Sequence, residues 1–127
     1  MLTVLIRILC ALPAILFFYQ GFNWLFQPEE AAAGLGMSLL TGIGASTQIG
    51  DLGSFFLVNS VLMAIGQFRG RSYLLYIPAG FIGMAGIFRV LAAAMGNADV
   101  AAQLIVSEAI LTIILVVAAR HLRNLEN

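Results

Sequence analysis

The chain has no lysine, and only 9% of its 127 residues carry a charge. Soluble domains are charged at about a quarter of their positions. A chain this short, 61% apolar, cannot hide that much apolar surface inside a water-soluble core, because small domains bury only part of their surface. The six basic residues, all arginine, balance six acids to a formal charge of zero. That balance and the absence of a polybasic run give nucleic acid no electrostatic footing. Cys10 is the single cysteine, which excludes a disulfide or a CxxC redox pair within one chain. His121 is the single histidine, so one subunit cannot build a metal or haem site from several imidazoles. No cofactor is expected.

What is present in abundance is hydrocarbon. A helix crosses a bilayer with about 20 mostly apolar residues, and four segments qualify: 2–26, 46–68, 72–95 and 100–122. The first has Arg7 ahead of an apolar run, as a signal peptide does. Its run is longer than a signal core and lacks a small-x-small cleavage pattern, so it reads as a retained helix. The expected fold is all-α, a four-transmembrane-helix bundle forming one integral membrane domain over 1–127.

Charge then orients the threading. With four spans, Arg7, Arg69, Arg71, Arg120 and Arg123 fall on one side, five of the six arginines. Glu29, Glu30 and Asp99 fall on the other. The positive-inside rule puts both termini and the 69–71 loop in the cytoplasm. Tyr73 and Tyr76 would line the cytoplasmic interface, and Tyr19, Trp24 and Phe26 the opposite one.

The first outer loop contains "QPEEAAAGLG". Pro28 preset for a first helical turn, two acids on the positive dipole end, and Gly34 and Gly36 to stop it predict a short helix at the interface or tucked over the bundle. Pro13 and Pro78 lie inside spans one and three, where a kink is tolerated if neighbours satisfy the freed carbonyl. Gly42, Gly44, Gly50 and Gly53 in span two, and Gly80, Gly83 and Gly86 in span three, allow close helix approach, within the bundle or between copies.

Three charges remain inside spans: Asp51, Arg89 and Glu108. Counted from the expected span ends, they lie roughly 8, 10 and 12 Å down. A charge at the helix centre costs about 2.5–3.5 kcal/mol on insertion scales, so mutual pairing is the economical arrangement. Arginine's planar fork can engage two carboxylates at once. The expectation is that Arg89 bridges Asp51 and Glu108. Ala85, Gly86, Ala92, Ala93 and Gly96 leave room around Arg89. Gln48 and Asn59 fall near Asp51 on span two, and Gln20 and Asn23 near the end of span one, so a polar pocket drawing on these residues is the candidate site. It would be a structural ion cluster, a site for a small cationic or amphipathic molecule, or a proton relay.

The stretches "GFNWLFQPEEAAAGLG" (21–36), "GASTQIGDLGSFFL" (44–57), "FRVLA" (88–92) and "VSEAIL" (106–111) resemble an uncharacterised bacterial family of four-helix membrane proteins, known only as a domain of unknown function. The resemblance implies a fold and no activity. More loosely the layout is similar to DoxX-like four-helix proteins, some of them linked to quinone-dependent oxidation, although no motif here carries that link.

Three function classes follow. A non-enzymatic accessory or assembly subunit of a larger membrane complex fits the small size and glycine-lined faces. A binding or transport protein for a small molecule fits the polar cluster. A membrane enzyme fits least: Ser54, Ser60 and Ser107 have no histidine beside them in the pattern, and Cys10 lies far from the cluster. The expected partners are the lipid bilayer and either further copies of the chain or a larger complex.

Overall fold

A computed structural model describes residues 1–126. All the regular structure among them is helical. Helix α1 runs Leu2–Phe26, α2 Pro28–Gly34, α3 Gly42–Ile65, α4 Tyr76–Ala94 and α5 Ala102–Glu126, and a 3-10 turn, Ser72–Leu75, leads into α4. Four stretches are long and apolar enough to cross a membrane: α1, α3, the turn with α4, and α5. The expected all-α class with four membrane-length helices and a short helix in the first long loop is what the chain adopts.

The boundaries differ where apolarity alone was the guide. Span two begins at Gly42, four residues before the expected Ser46, and ends at Ile65, not Phe68. The early start has a local cause. The Leu40 amide donates to Gln48 Oε1 at 2.7 Å, and Gln48 Nε2 donates to the Ser38 carbonyl at 3.1 Å, which ties the preceding strand of loop to the helix's second turn. The residue after that end, Gly66, packs against the buried Leu75 side chain, from which a Cβ would stand 2.7 Å. Span four runs Ala102–Glu126 in place of 100–122, because its charged last turn continues the helix, with Arg123 facing the negative end of the dipole.

The chain forms two compact units. One comprises residues 11–61: most of α1, all of α2, and most of α3. Its core joins Trp24, Ala31, Ala32 and Phe56, with Phe17 and Phe55 packed around them. Phe17 meets Phe56 edge-on, with ring centroids 4.9 Å apart, the offset geometry that the aromatic quadrupole favours. Helix α2 is therefore tucked onto the α1–α3 hairpin rather than lying free. It ends as its glycines suggested: Gly36 has φ +74°, and the Met37 amide returns to the Ala32 carbonyl at 3.1 Å, closing the helix with a left-handed residue.

The other unit comprises residues 1–10 and 62 onward. Its second hairpin is packed through small side chains. A Cβ on Gly83 would stand 3.2 Å from the Thr112 methyl, and one on Gly86 would stand 3.3 Å from Glu108 Oε2. Further along, Ala79 and Ile82 of α4 and Leu115, Ala118, Ala119 and Leu122 of α5 are buried. Thr3 of α1 and His121 of α5 share a hydrogen bond of 3.0 Å, which fixes the start of α1 beside the end of α5.

Candidate functional site

Arg89 and Glu108 meet as expected. Arg89 Nε donates to Glu108 Oε1 at 2.9 Å, with the side chains 35% and 16% exposed. Arg89 stands five residues before the end of α4 and Glu108 six residues after the start of α5, so an antiparallel hairpin carries both to one level, roughly 8–9 Å from the helix ends. Gly86, one turn before Arg89, gives the carboxylate its place: Glu108 Oε2 lies where a Cβ would crowd it. That oxygen is buried and has no hydrogen-bond partner. Thr112, one turn on, turns its hydroxyl to the Glu108 backbone carbonyl at 2.7 Å and adds no donor to the carboxylate.

Two hollows border the pair. The first is an apolar groove of about 300 Å³, floored by Gly83 and Gly86 and walled by Ile87, Val90, Leu91, Ile105 and Ala109. The second, about 350 Å³, is walled by Ala85, Phe88, Ala92, Ala98 and Ala101 and contains Arg89 and Asp99. The alanines and Gly86 named from the sequence do clear the surroundings of Arg89. Asp99 was missed as a neighbour because it sits in the α4–α5 loop, where helical spacing says nothing. Because Arg89 bonds Glu108 through Nε, the outer edge of its guanidinium is left free for the second hollow.

Asp51 belongs to the other unit. Its side chain is exposed and makes no ion pair or hydrogen bond among the described residues. Two facts within its own unit account for that exposure. The early start of α3 moves Asp51 along the helix relative to its ends. A Cβ on Gly53 would lie 3.5 Å from the Trp24 Cβ, which sets Asp51 level with the last turn of α1, where a carboxylate can reach water. Its direction is also wrong for burial. The buried residues Phe56, Asn59 and Ser60 define a face whose centre lies roughly 130° around α3 from Asp51.

Of the other expected pocket residues, Gln20, Gln48 and Asn59 are taken up by nearby backbone. Gln20 Nε2 donates to the Ala31 carbonyl at 3.4 Å, holding α2 to α1. Gln48 ties down residues 38–40. Asn59 Nδ2 donates to the Phe55 carbonyl one turn back at 2.8 Å, leaving its buried Oδ1 without a partner. Asn23 is half-buried and makes no side-chain hydrogen bond among the described residues. Ser60, which the sequence reading weighed only as a nucleophile, donates to the Ala14 carbonyl at 2.7 Å and is buried. Among the described residues, no three histidine, cysteine, aspartate or glutamate side chains are grouped as a metal site.

Four membrane-length apolar helices, with polar groups folded back onto the backbone, define a multi-pass membrane protein. Compared with known proteins, the chain matches no family model, no curated protein and no solved structure.

Proposed function

We propose that this is a non-enzymatic bacterial inner-membrane protein that serves as an accessory or assembly subunit of a larger membrane complex, with both termini in the cytoplasm. The observation that carries this reading is the apolar groove along α4 and α5. Its floor is Gly83 and Gly86, and its walls present no polar group of the ion pair. In lipid, helices associate through close packing on small residues, since lipid tails are as apolar as leucine. A groove floored by glycine admits the side-chain ridge of a neighbouring helix. The orientation rests on the five arginines gathered at one end of the threading, and the bacterial source on the resemblance described above.

Native purification in mild detergent followed by mass spectrometry tests the proposal. The expected result is a co-purifying membrane protein that is lost in Ala109→Phe, a bulky substitution at an exposed wall of the groove. A lone monomer or homodimer under every mild condition overturns it.

A second reading is favoured by the other hollow. The free edge of the half-exposed Arg89, facing alanine walls, suits the polar head of a small amphipathic molecule. Its test is a thermal-shift screen against amphiphiles of either charge. A shift that Arg89→Gln abolishes supports it, and unchanged unfolding with every amphiphile sinks it.

A further inference from the structure

We infer that the arginine-bearing end of the second unit is a binding surface for the headgroups of anionic phospholipids. The evidence is independent of the groove and of the Arg89–Glu108 pair.

Arg7, Arg69, Arg71, Arg120 and Arg123 are all exposed, and all belong to this unit. Two side-chain contacts hold their segments together. The Ser72 hydroxyl donates to Glu126 Oε2 at 3.0 Å, which places Arg71 beside the last turn of α5, where Arg123 stands. The Thr3–His121 hydrogen bond at 3.0 Å brings the first turns of α1, with Arg7 one turn beyond Thr3, to the same end of α5, next to Arg120. Five guanidinium groups from three segments thus share one end of the unit.

Nothing described at that end neutralises them. The acid there is Glu126, and its Oε2 is occupied by Ser72. The ion pair among the described residues is Arg89–Glu108, at the other end of α4 and α5. Each of the five arginines is free of ion pairs and hydrogen bonds among the described residues.

The loop between α3 and α4 adds the features of a membrane interface. It reads Phe68-Arg69-Gly70-Arg71-Ser72-Tyr73. Gly70 has φ +77°, a left-handed turn that only glycine takes without strain. Phe68 and Tyr73, on either side of the two arginines, are 65% and 60% exposed. Aromatic rings of this kind settle at the level of lipid headgroups. That holds the intervening guanidinium groups at phosphate depth, where their planar fork can take two phosphate oxygens at once. Ser72, though adjacent, is buried, so the loop is anchored on one side and presents its arginines on the other. The occupant is an acidic lipid rather than an acidic protein, because the charges lie in a rim at the ends of membrane-length helices, next to exposed aromatics.

The experiment uses the full chain purified in neutral detergent. Phosphatidylglycerol or phosphatidylcholine is added at equal concentration, and retained lipid is counted by native mass spectrometry. The expected result is preferential retention of phosphatidylglycerol, with each arginine contributing about five-fold at low salt. The preference collapses near 1 M salt, where the screening length falls to about 3 Å. It is lost in the triple variant Arg71→Gln, Arg120→Gln, Arg123→Gln and weakened but not lost when the same three become lysine, which keeps the charge without the fork. Equal retention of both lipids by the unaltered chain overturns the inference, as does undiminished preference in a glutamine variant whose helicity is intact. Equal stabilisation by inorganic phosphate at matched concentration overturns the assignment to lipid. If the glutamine variant does not fold, the comparison of the two lipids at low and high salt on the unaltered chain still decides.

Discussion

The first hairpin and the second solve the same problem, polar groups in apolar helices, in opposite ways. In residues 11–61, side chains that looked like a pocket turn to backbone carbonyls: Gln20 to Ala31, Asn59 to Phe55, Ser60 to Ala14. Aromatic rings fill the remaining space, and the helices touch main chain to main chain at Gly21. In the α4–α5 hairpin the polar groups meet each other. Arg89 and Glu108 pair across it, and glycine and alanine make the room. The difference teaches that a polar residue in a membrane-length helix is not by itself a site. A short amide or hydroxyl finds a carbonyl close by, whereas an arginine and a glutamate have no backbone substitute of equal strength and must find one another.

Backbone contact in the first hairpin makes its glycine the most sensitive point. A Cβ on Gly21 would stand 3.0 Å from the Leu57 amide nitrogen, and main chain cannot swing aside. Gly21→Val is expected to destabilise by about 3 kcal/mol, the upper part of the overpacking range. Gly50→Ala, where a Cβ meets nothing within 4 Å, serves as its control and should be neutral. Unfolding titrations in mixed micelles followed by circular dichroism measure both. Equal effects would remove the claimed close approach.

Next in size comes the ion pair. Arg89→Ala leaves the buried Glu108 carboxylate without its cation. Breaking a fully buried pair costs about 3–5 kcal/mol, and partial exposure of Arg89 lowers the expected loss to about 2 kcal/mol. Replacing both residues by leucine should restore most of that stability. If the double variant is as unstable as the single, the pair is not the unit that matters.

Ser60→Ala removes one hydrogen bond to the Ala14 carbonyl and should cost about 1 kcal/mol, read by the same titration. The smallest effect belongs to Asp51. Exposed and unpaired, it should tolerate Asn within about 0.5 kcal/mol. A loss as large as that of Arg89→Ala would return Asp51 to a cluster with Arg89 and Glu108 and erase the contrast between the hairpins.

Much of this was legible in the residues. Runs of hydrocarbon bounded by Gly and Arg marked four membrane-length helices, since length and apolarity are all a bilayer asks of a helix. Pro28, Glu29 and Glu30 followed by Gly34 and Gly36 marked α2. Arg89 and Glu108 were matched by counting from the ends of a tight hairpin, which works because its two helices share one short loop. The same count was off for Asp51, whose helix begins four residues earlier than expected. Its span is bounded by a long loop, and the start of α3 depended on Gln48 reaching back to residues 38–40, a contact that periodicity does not reveal.

The sequence alone determined the class of protein, the number of membrane-length helices and the level of Arg89 and Glu108 along their hairpin, because each depends on composition and on distance along a helix. Only the tertiary structure decided which face of α3 was buried, which carbonyls absorbed Gln20, Asn59 and Ser60, and that Asp51 lay on the exposed face of its own unit. Those outcomes depend on the rotation of one helix against another, and a single turn of 100° per residue is enough to exchange a buried carboxylate for an exposed one.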